Sequence, residues 1–310
     1  MAKIAVVGSY GVGLTMTVPR LPAPGETLVG GEFDLGPGGK GSNQAIAACR
    51  LGANVELFAA VGPDQFGSDA RELWRREGVG SDHVLTVSRH TMVGFILVEP
   101  GGENRIAIAP GALEELTLEH VRAFERVIEW ADVCVAVLEI PTETVVAALH
   151  HARKAGVTTI LNPAPAKELP EDVWASIDYL TPNLTEAAGM LGLGSHQSPQ
   201  ELIRGLKSRF GGTIVLTMGE DGALLSEPKS DDPLHIPAKA ANRVVDSTGA
   251  GDAFNGAFAV AIAEGRSAEA AVRFGCLAGS HACQTLGVIG SLPYRSDLVA
   301  EPLAENVARR

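Results

Sequence analysis

The sequence predicts an α/β fold: a doubly wound, mostly parallel sheet with a small β-sheet lid. Two observations carry this expectation. Short β-rich runs, at Ile4 to Val7, Val55 to Ala59, Val133 to Leu138, Thr158 to Leu161, Tyr179 to Thr181 and Thr213 to Thr217, alternate with helix-length amphipathic stretches. That rhythm is the mark of βαβ units whose strands are covered by helices on both faces. Against it, Gly25 to Leu35 and Met92 to Ile108 read as paired extended strands with Gly turns and no intervening helix. Beyond the carboxyl ends of the main strands such a projection is placed to close over a ligand. A surface hairpin without function has the same pattern.

The elements follow in order. The first strand runs straight into Gly8-Ser9-Tyr10-Gly11-Val12-Gly13, a glycine-punctuated turn. No GxGxxG register fits, because position 16 is Met and Thr15 to Pro19 is β-like rather than helical, which argues against a dinucleotide-binding oxidoreductase. Gly36 to Gln44 is a second Gly-rich turn, opening a helix over Ala45 to Leu51. It is not a phosphate-binding GxxxxGK[ST] loop, since Asp34 and Gly41 stand where Gly and Ser or Thr are needed. The apolar spacing predicts helices over Leu118 to Trp130, Thr142 to Lys154, Ala250 to Ala263 and Ala268 to Thr285. No linker divides the chain, so a single domain over 1–310 is expected, with lid segments near 14–38 and 90–109.

Composition narrows the function. The 310 residues are 45% hydrophobic with 36 Gly, enough for a large core, and the formal net charge of -12 argues against nucleic acid or an anionic membrane as partner. A small-molecule substrate is expected instead. Cys49, Cys134, Cys276 and Cys283 are far apart and form no CxxC pair, which fits reduced packing thiols in a cytoplasmic protein. The N-terminal strand lacks the features of a signal peptide, and no apolar run is long enough to span a membrane.

The strongest chemical signal is Asp246-Ser247-Thr248-Gly249-Ala250-Gly251-Asp252-Ala253-Phe254, a glycine turn leading into a helix. Glycines let backbone N–H groups approach an anion, and the helix N-terminus adds partial positive charge. Asp252 falls in the first turn, where it can accept a proton from a hydroxyl while a phosphoryl group arrives from the other side. An acidic residue favoured by the helix dipole is the simpler account. In the second turn, Lys40 and Asn43 can offer donors to ligand hydroxyls, or the turn is purely structural. Asn183-Leu184-Thr185-Glu186 fits a helix cap, and its oxygens can also hold Mg²⁺ through water. Adjacent His150 and His151 lack metal-ligand spacing.

Taken together and in this order, these segments resemble the ribokinase-like, or PfkB, carbohydrate kinase family along essentially the whole chain. The match rests on GGKGxNQA at Gly38 to Ala45, NPAPA at Asn162 to Ala166, TPNxTEA around Pro182 to Ala187, and DSTGAGDAFNGA at Asp246 to Ala257. The resemblance implies ATP-dependent phosphorylation of a primary hydroxyl on a sugar or sugar-like substrate. Nucleoside and ketohexose kinases of the family are the alternative, and a non-catalytic regulator is a more distant one.

Roles carry over residue by residue. Asp252 looks like the catalytic base, with the amides of Gly249, Ala250 and Gly251 as the anion hole. Gly39, Lys40, Gly41, Asn43 and Glu139 match the sugar side. Asn183 and Glu186 match a motif that influences Mg²⁺ and phosphate placement. Thr217, Gly219 and Gly222 resemble the nucleotide strand and turn, with Cys276 on the helix beside them. Asp246 and Thr248, together with Ala282, Thr285, Gly287 and Ser291, resemble the family's K⁺ loop.

The family also implies a homodimer through the lid strands. One departure stands out: ribokinases usually show Asn-x-Asp after the first strand, and this chain has Gly11-Val12-Gly13. The glycines are expected to admit a larger or differently oriented substrate, with Lys40 or Arg105 available to an acidic group.

Overall fold

In the computed structural model, residues 1–298 are described apart from 102, 195, 231, 240 and 242, and residues 299–310 of the expected single domain lie outside the description. The first half of the chain runs β1 (Lys3–Val7), β2 (Gly11–Thr17), β3 (Phe33–Gly38), α1 (Lys40–Arg50), β4 (Asn54–Phe58), β5 (Ala60–Val61), α2 (Gln65–Glu77), β6 (Leu85–Thr86), β7 (Met92–Val98) and β8 (Asn104–Ala109). Then follow α3 (Leu118–Trp130), β9 (Val133–Val137), α4 (Thr142–Ala155), β10 (Thr158–Asn162), β11 (Tyr179–Leu180), α5 (Leu184–Met190), α6 (Pro199–Lys207), β12 (Thr213–Thr217), β13 (Ala223–Ser226) and β14 (Leu234–Ile236). The chain closes with α7 (Ala250–Ala263), α8 (Ala268–Ala282), α9 (Val288–Ser291) and α10 (Arg295–Leu298).

Eight strands form the main sheet in the order β14-β13-β12-β11-β10-β9-β1-β4, parallel from β4 to β12, with β13 and β14 added antiparallel at one edge. Successive strand side chains point to opposite faces, and here both faces are buried. Ile4, Val6, Val133 and Val135 pack into one core with α1, α2, α7 and α8, while Ala5, Val7, Cys134 and Ala136 pack into a second with α3, α4, α5 and α6. Two half-cores therefore clamp the parallel strands, which fixes where their carboxyl ends emerge. The described residues contain no helix long and apolar enough to cross a membrane.

The second sheet has the order β3-β2-β7-β8, with β2 and β7 parallel and the other two pairs antiparallel. It differs from the expected pairing. Of Gly25 to Leu35 only the end is strand: residues 25–32 form the connection, which is tied back where Gly31 N donates to Thr17 O and Glu32 N donates to Thr17 Oγ1. The partner of β3 is β2, directly after the first strand. The last long helix is also shorter than its pattern, ending at Ala282 rather than Thr285. The freed residues turn back instead, and Cys283 O accepts from Val245 N and Asp246 N.

Candidate active site

The site forms where β1, β9, β10, β11 and the first turns of α1 and α7 meet. β1 ends at Val7 and the next residues pass under α1. A Cβ at position 41 would lie 2.3 Å from Ser9 N, so only glycine lets the helix start so close to this turn. Glu139, just beyond β9, locks the junction: it accepts from the Ser9 hydroxyl and from Lys40 N at 2.7 Å, and Gly41 N donates to Ser9 Oγ. One function of Glu139 is thus to cap α1.

The same helix carries Asn43 and Gln44 inward. Asn43 Nδ2 donates to Asp252 Oδ2 at 2.8 Å and Gln44 Nε2 to Asp252 Oδ1 at 3.1 Å, so an amide holds each oxygen of the carboxylate. Asp252 is 8% exposed. Gly249, the residue before α7, has φ +83°, the left-handed conformation that favours glycine; within the turn Ala250 N donates to Ser247 O at 3.2 Å, and Asp252 follows in the first turn of the helix.

Burial raises the pKa of Asp252; Lys40, Asn43 and Gln44 pull it part of the way back, and Glu139 adds to the rise. For Lys40, burial pulls down, but the carboxylates of Asp252, Glu139 and Glu186 outweigh it and hold the ammonium above its ordinary pKa. Lys40 is thus a half-buried cation whose charge is held by the three surrounding carboxylates.

The other ends of the same two amides lack donors: Asn43 Oδ1 and Gln44 Oε1 are buried and unpartnered. Unpaired buried acceptors are costly, and a substrate hydroxyl would satisfy them.

After β11, Asn183 and Glu186 form a reciprocal cap of α5, with Glu186 N donating to Asn183 Oδ1 at 2.8 Å and Asn183 N to Glu186 Oε2 at 2.9 Å. Burial raises the Glu186 pKa, the Asn183 N–H and Lys40 oppose the rise and Asp252 reinforces it, so this cap lies within electrostatic reach of Lys40 and Asp252. Thr217 at the end of β12 bridges to Asn183 and leads into the Gly219–Asp221 turn, closed by Gly222 at φ +86°. Cys276 lies in the apolar core on α8, its thiol pushed up to about 11 by burial, so it supports this wall by packing. All four cysteines are free.

The proposed cation loop is assembled around Asp246. Its Oδ1 accepts from Thr248 N and Thr248 Oγ1, and its Oδ2 from Gly287 N. Burial raises its pKa, but those hydrogen bonds prevail and hold it below the ordinary carboxylate value. Ala282 and Thr285 flank the loop, and Ser291 donates to Val288 O.

The sugar-side expectations divide. A Cβ on Gly11 would fall 2.1 Å from Met92 Cε, so the room beside Gly11 is filled by Met92 and not left to a substrate. Gly13 is different: a Cβ there meets only Ile96 Cδ1 at 3.5 Å and Gly36 O at 3.8 Å, and one on Gly94 meets nothing within 4 Å. Arg105 is overturned as a candidate for an acidic group. It is paired with Leu97, on the face of the small sheet opposite Gly13, and lies 3.8 Å from Glu103.

Four residues without an assigned role stand close to the centre: Gln44, Asn162, Thr181 and Asn255. All four are buried polar side chains. The one-turn spacing of Asn255 from Gly251 was the available signal. Away from that centre, exposed Asp34 on the small sheet is on the same face as Gly13, because Thr15 pairs with Asp34 and Gly13 with Gly36.

The chain matches the profile described as pfkB family carbohydrate kinase over residues 1–295. A ribokinase of Haemophilus influenzae is 35% identical over 297 residues, which are 95% of this chain and 96% of the relative. A Bacillus subtilis ribokinase is 36% identical over 301 residues, 96% of this chain and 98% of the relative. The structure of Arabidopsis thaliana ribokinase complexed with ribose and ATP superposes with a TM-score of 0.89 at 29% identity, covering 96% of this chain and 98% of that one.

Proposed function

The chain belongs to the pfkB family of carbohydrate kinases and is an ATP-dependent sugar kinase, and on that premise we propose that it phosphorylates the primary hydroxyl of a sugar or sugar-like substrate wider than ribose at the edge facing Gly13. The observation that carries the chemistry is Asp252, its two oxygens held by Asn43 and Gln44 beside the glycine turn that opens α7. A carboxylate so aimed takes the proton of the attacking hydroxyl. The amides of Gly249, Ala250 and Gly251 stabilise charge on the transferred γ-phosphoryl group, and Lys40 supplies the nearest cation.

The wider substrate is supported by the open space at Gly94, by the missing side chain at Gly13, and by the absence there of a carboxylate for two ring hydroxyls. Asp34 Oδ2 lies 3.8 Å from where a Cβ of Gly36 would be, leaning along this face towards Gly13, and is the acceptor for a hydroxyl further out.

Mg²⁺ fits at Asn183 and Glu186, whose oxygens would hold it through water; bound with the nucleotide, it supplies charge neutralisation at the phosphates. The Asp246 loop offers a single carboxylate and backbone oxygens, a hard donor set suited to K⁺. No cluster of three or more His, Cys, Asp or Glu able to hold a metal occurs among the described residues. A homodimer is supported by the outer face of the small sheet, where Phe33, Leu35 and Phe95 are exposed on the side opposite Gly13.

The test is ATP consumption against pentoses, hexoses, ketoses, polyols, sugar acids and nucleosides, with Asp252→Asn as control. Turnover with a hexose-sized substrate above that with ribose, lost by about 10²-fold or more in the variant, is expected. Ribose as the preferred substrate would refute the altered recognition, and turnover unchanged in the variant would refute the role of Asp252.

A further inference from the structure

The floor of the site is a closed circuit of hydrogen bonds. Gln44 Nε2 donates to Asp252 Oδ1 at 3.1 Å and to Asn162 Oδ1 at 3.0 Å; Asn162 Nδ2 donates to Thr181 O at 3.0 Å. Thr181 Oγ1 donates to Asn255 Oδ1 at 2.6 Å, and Asn255 Nδ2 donates to Gly251 O at 2.8 Å. Gly251 is bonded to Asp252, which closes the ring. It ties together α1, the ends of β10 and β11, and the first turn of α7.

Each amide can adopt only one orientation. Gln44 lies between two acceptors, so its nitrogen must face them. Asn162 and Asn255 each have a backbone carbonyl on one side, which fixes their nitrogens there. Four side chains, Gln44, Asn162, Thr181 and Asn255, are at most 6% exposed, so water does not compete for these bonds.

A core packed for stability alone has no need of such a set. Buried polar side chains cost free energy, the more so where a bond is unmade, as at Gln44 Oε1. Here the bonds run from the carboxylate to the turn that holds the anion-binding amides, the two groups whose separation decides whether a hydroxyl and a phosphoryl group meet in line.

We propose that this ring is a positioning device for phosphoryl transfer, in which Gln44, Asn162, Thr181 and Asn255 fix Asp252 against the amides at the start of α7. The inference rests on the kinase reading of Asp252. Lys40 at the start of α1, Glu139 after β9 and Glu186 on α5 are the charged groups that act on this centre, and Asn43 is its other neutral donor. Gln44 is the member in contact with the carboxylate; Thr181 and Asn255 act through α7, touching neither substrate.

Two substitutions test it, with steady-state kinetics across pH on the best substrate of the wild-type enzyme. Gln44→Met keeps the side-chain length and removes a donor that favours the ionised carboxylate. The acid limb of kcat is expected to move to higher pH, with kcat lowered about tenfold or more at neutral pH. Thr181→Val removes one hydroxyl remote from the substrate, and Thr181→Ser restores it. The Val variant is expected to lose kcat about tenfold with KM for sugar and ATP within about twofold, and the Ser variant to regain it.

Thermal melting of each variant identifies loss of fold, and Gln44→Met keeps the test open if the Val variant unfolds. An unshifted acid limb in Gln44→Met, or a kcat in folded Thr181→Val equal to wild type, overturns the proposal. Absence of sugar-dependent turnover in the wild type across the panel overturns the kinase reading itself, and with it the premise of the ring.

Discussion

Gly13→Asp should make this enzyme a better ribose kinase and a poorer kinase of its own substrate. Gly13 lies in extended β2, where an aspartate needs no unusual backbone angle. The new Cβ would be 3.5 Å from Ile96 Cδ1 and 3.8 Å from Gly36 O, ordinary contact distances, so the strand does not have to move. The carboxylate would emerge on the face shared with Gly36, Gly94 and Asp34.

An acceptor of this kind is worth about 1 to 3 kcal/mol when it holds a ring hydroxyl, or roughly 5- to 150-fold in kcat/KM. A substrate wider than ribose meets the new side chain as an obstruction and loses a similar factor. The assay is kcat/KM for ribose and for the best wild-type substrate, measured side by side. Ribose turnover unchanged or reduced in a folded variant would refute the argument that the missing carboxylate limits recognition. The parallel change at Gly11 should fail without a second substitution, because Met92 occupies the space.

The acid limb of activity should lie above the usual carboxylate range. Asp252 must be ionised to take a proton, burial raises its pKa, and activity is lost as pH falls through that value; Lys40→Met removes the cation that most strongly opposes this rise and should move the limb higher in a pH–rate profile. Arg50→Met should cost about 3 kcal/mol, since Arg50 and Glu77 form a nearly buried pair at 2.8 Å and Arg50 also donates to Ile289 O and Leu292 O. A melting temperature lowered by less than about 2 °C would refute it. Glu77 is held below its ordinary pKa chiefly by its hydrogen bond to Arg50, so this stabilisation is present above the unfolded glutamate pKa of about 4.3 and lost as pH falls through the folded value; acid unfolding of wild type and variant should therefore converge. Phe95→Lys should shift the protein to monomer in sedimentation, and a species of unchanged mass would remove the small sheet as the dimer contact.

The geometry around Asp252 was legible in the sequence because its physics is local. A glycine turn, a helix start and an acid in the first turn occupy consecutive positions, and α7 begins and ends where its pattern predicts, at Ala250 and Ala263. The cap made by Asn183 and Glu186 was legible for the same reason. The ring through Gln44, Asn162, Thr181 and Asn255 was not, since it draws one residue from each of four segments and no spacing rule joins them.

The substrate half was harder still, because the pairing register of the small sheet decides it. Sequence shows that Gly11 and Gly13 lack side chains, but not which neighbour fills each space; β7 places Met92 against one and Gly94 beside the other. Arg105 shows the same dependence. Its pairing with Leu97 sends it away from Gly13, and a slip of one residue would have sent it inward. On the proposed reading, specificity is set by which residues of β2, β3, β7 and β8 are brought opposite one another, while the chemistry stays with α7. A substitution on the small sheet can change the sugar without touching Asp252, and the Gly13→Asp comparison measures that separation directly.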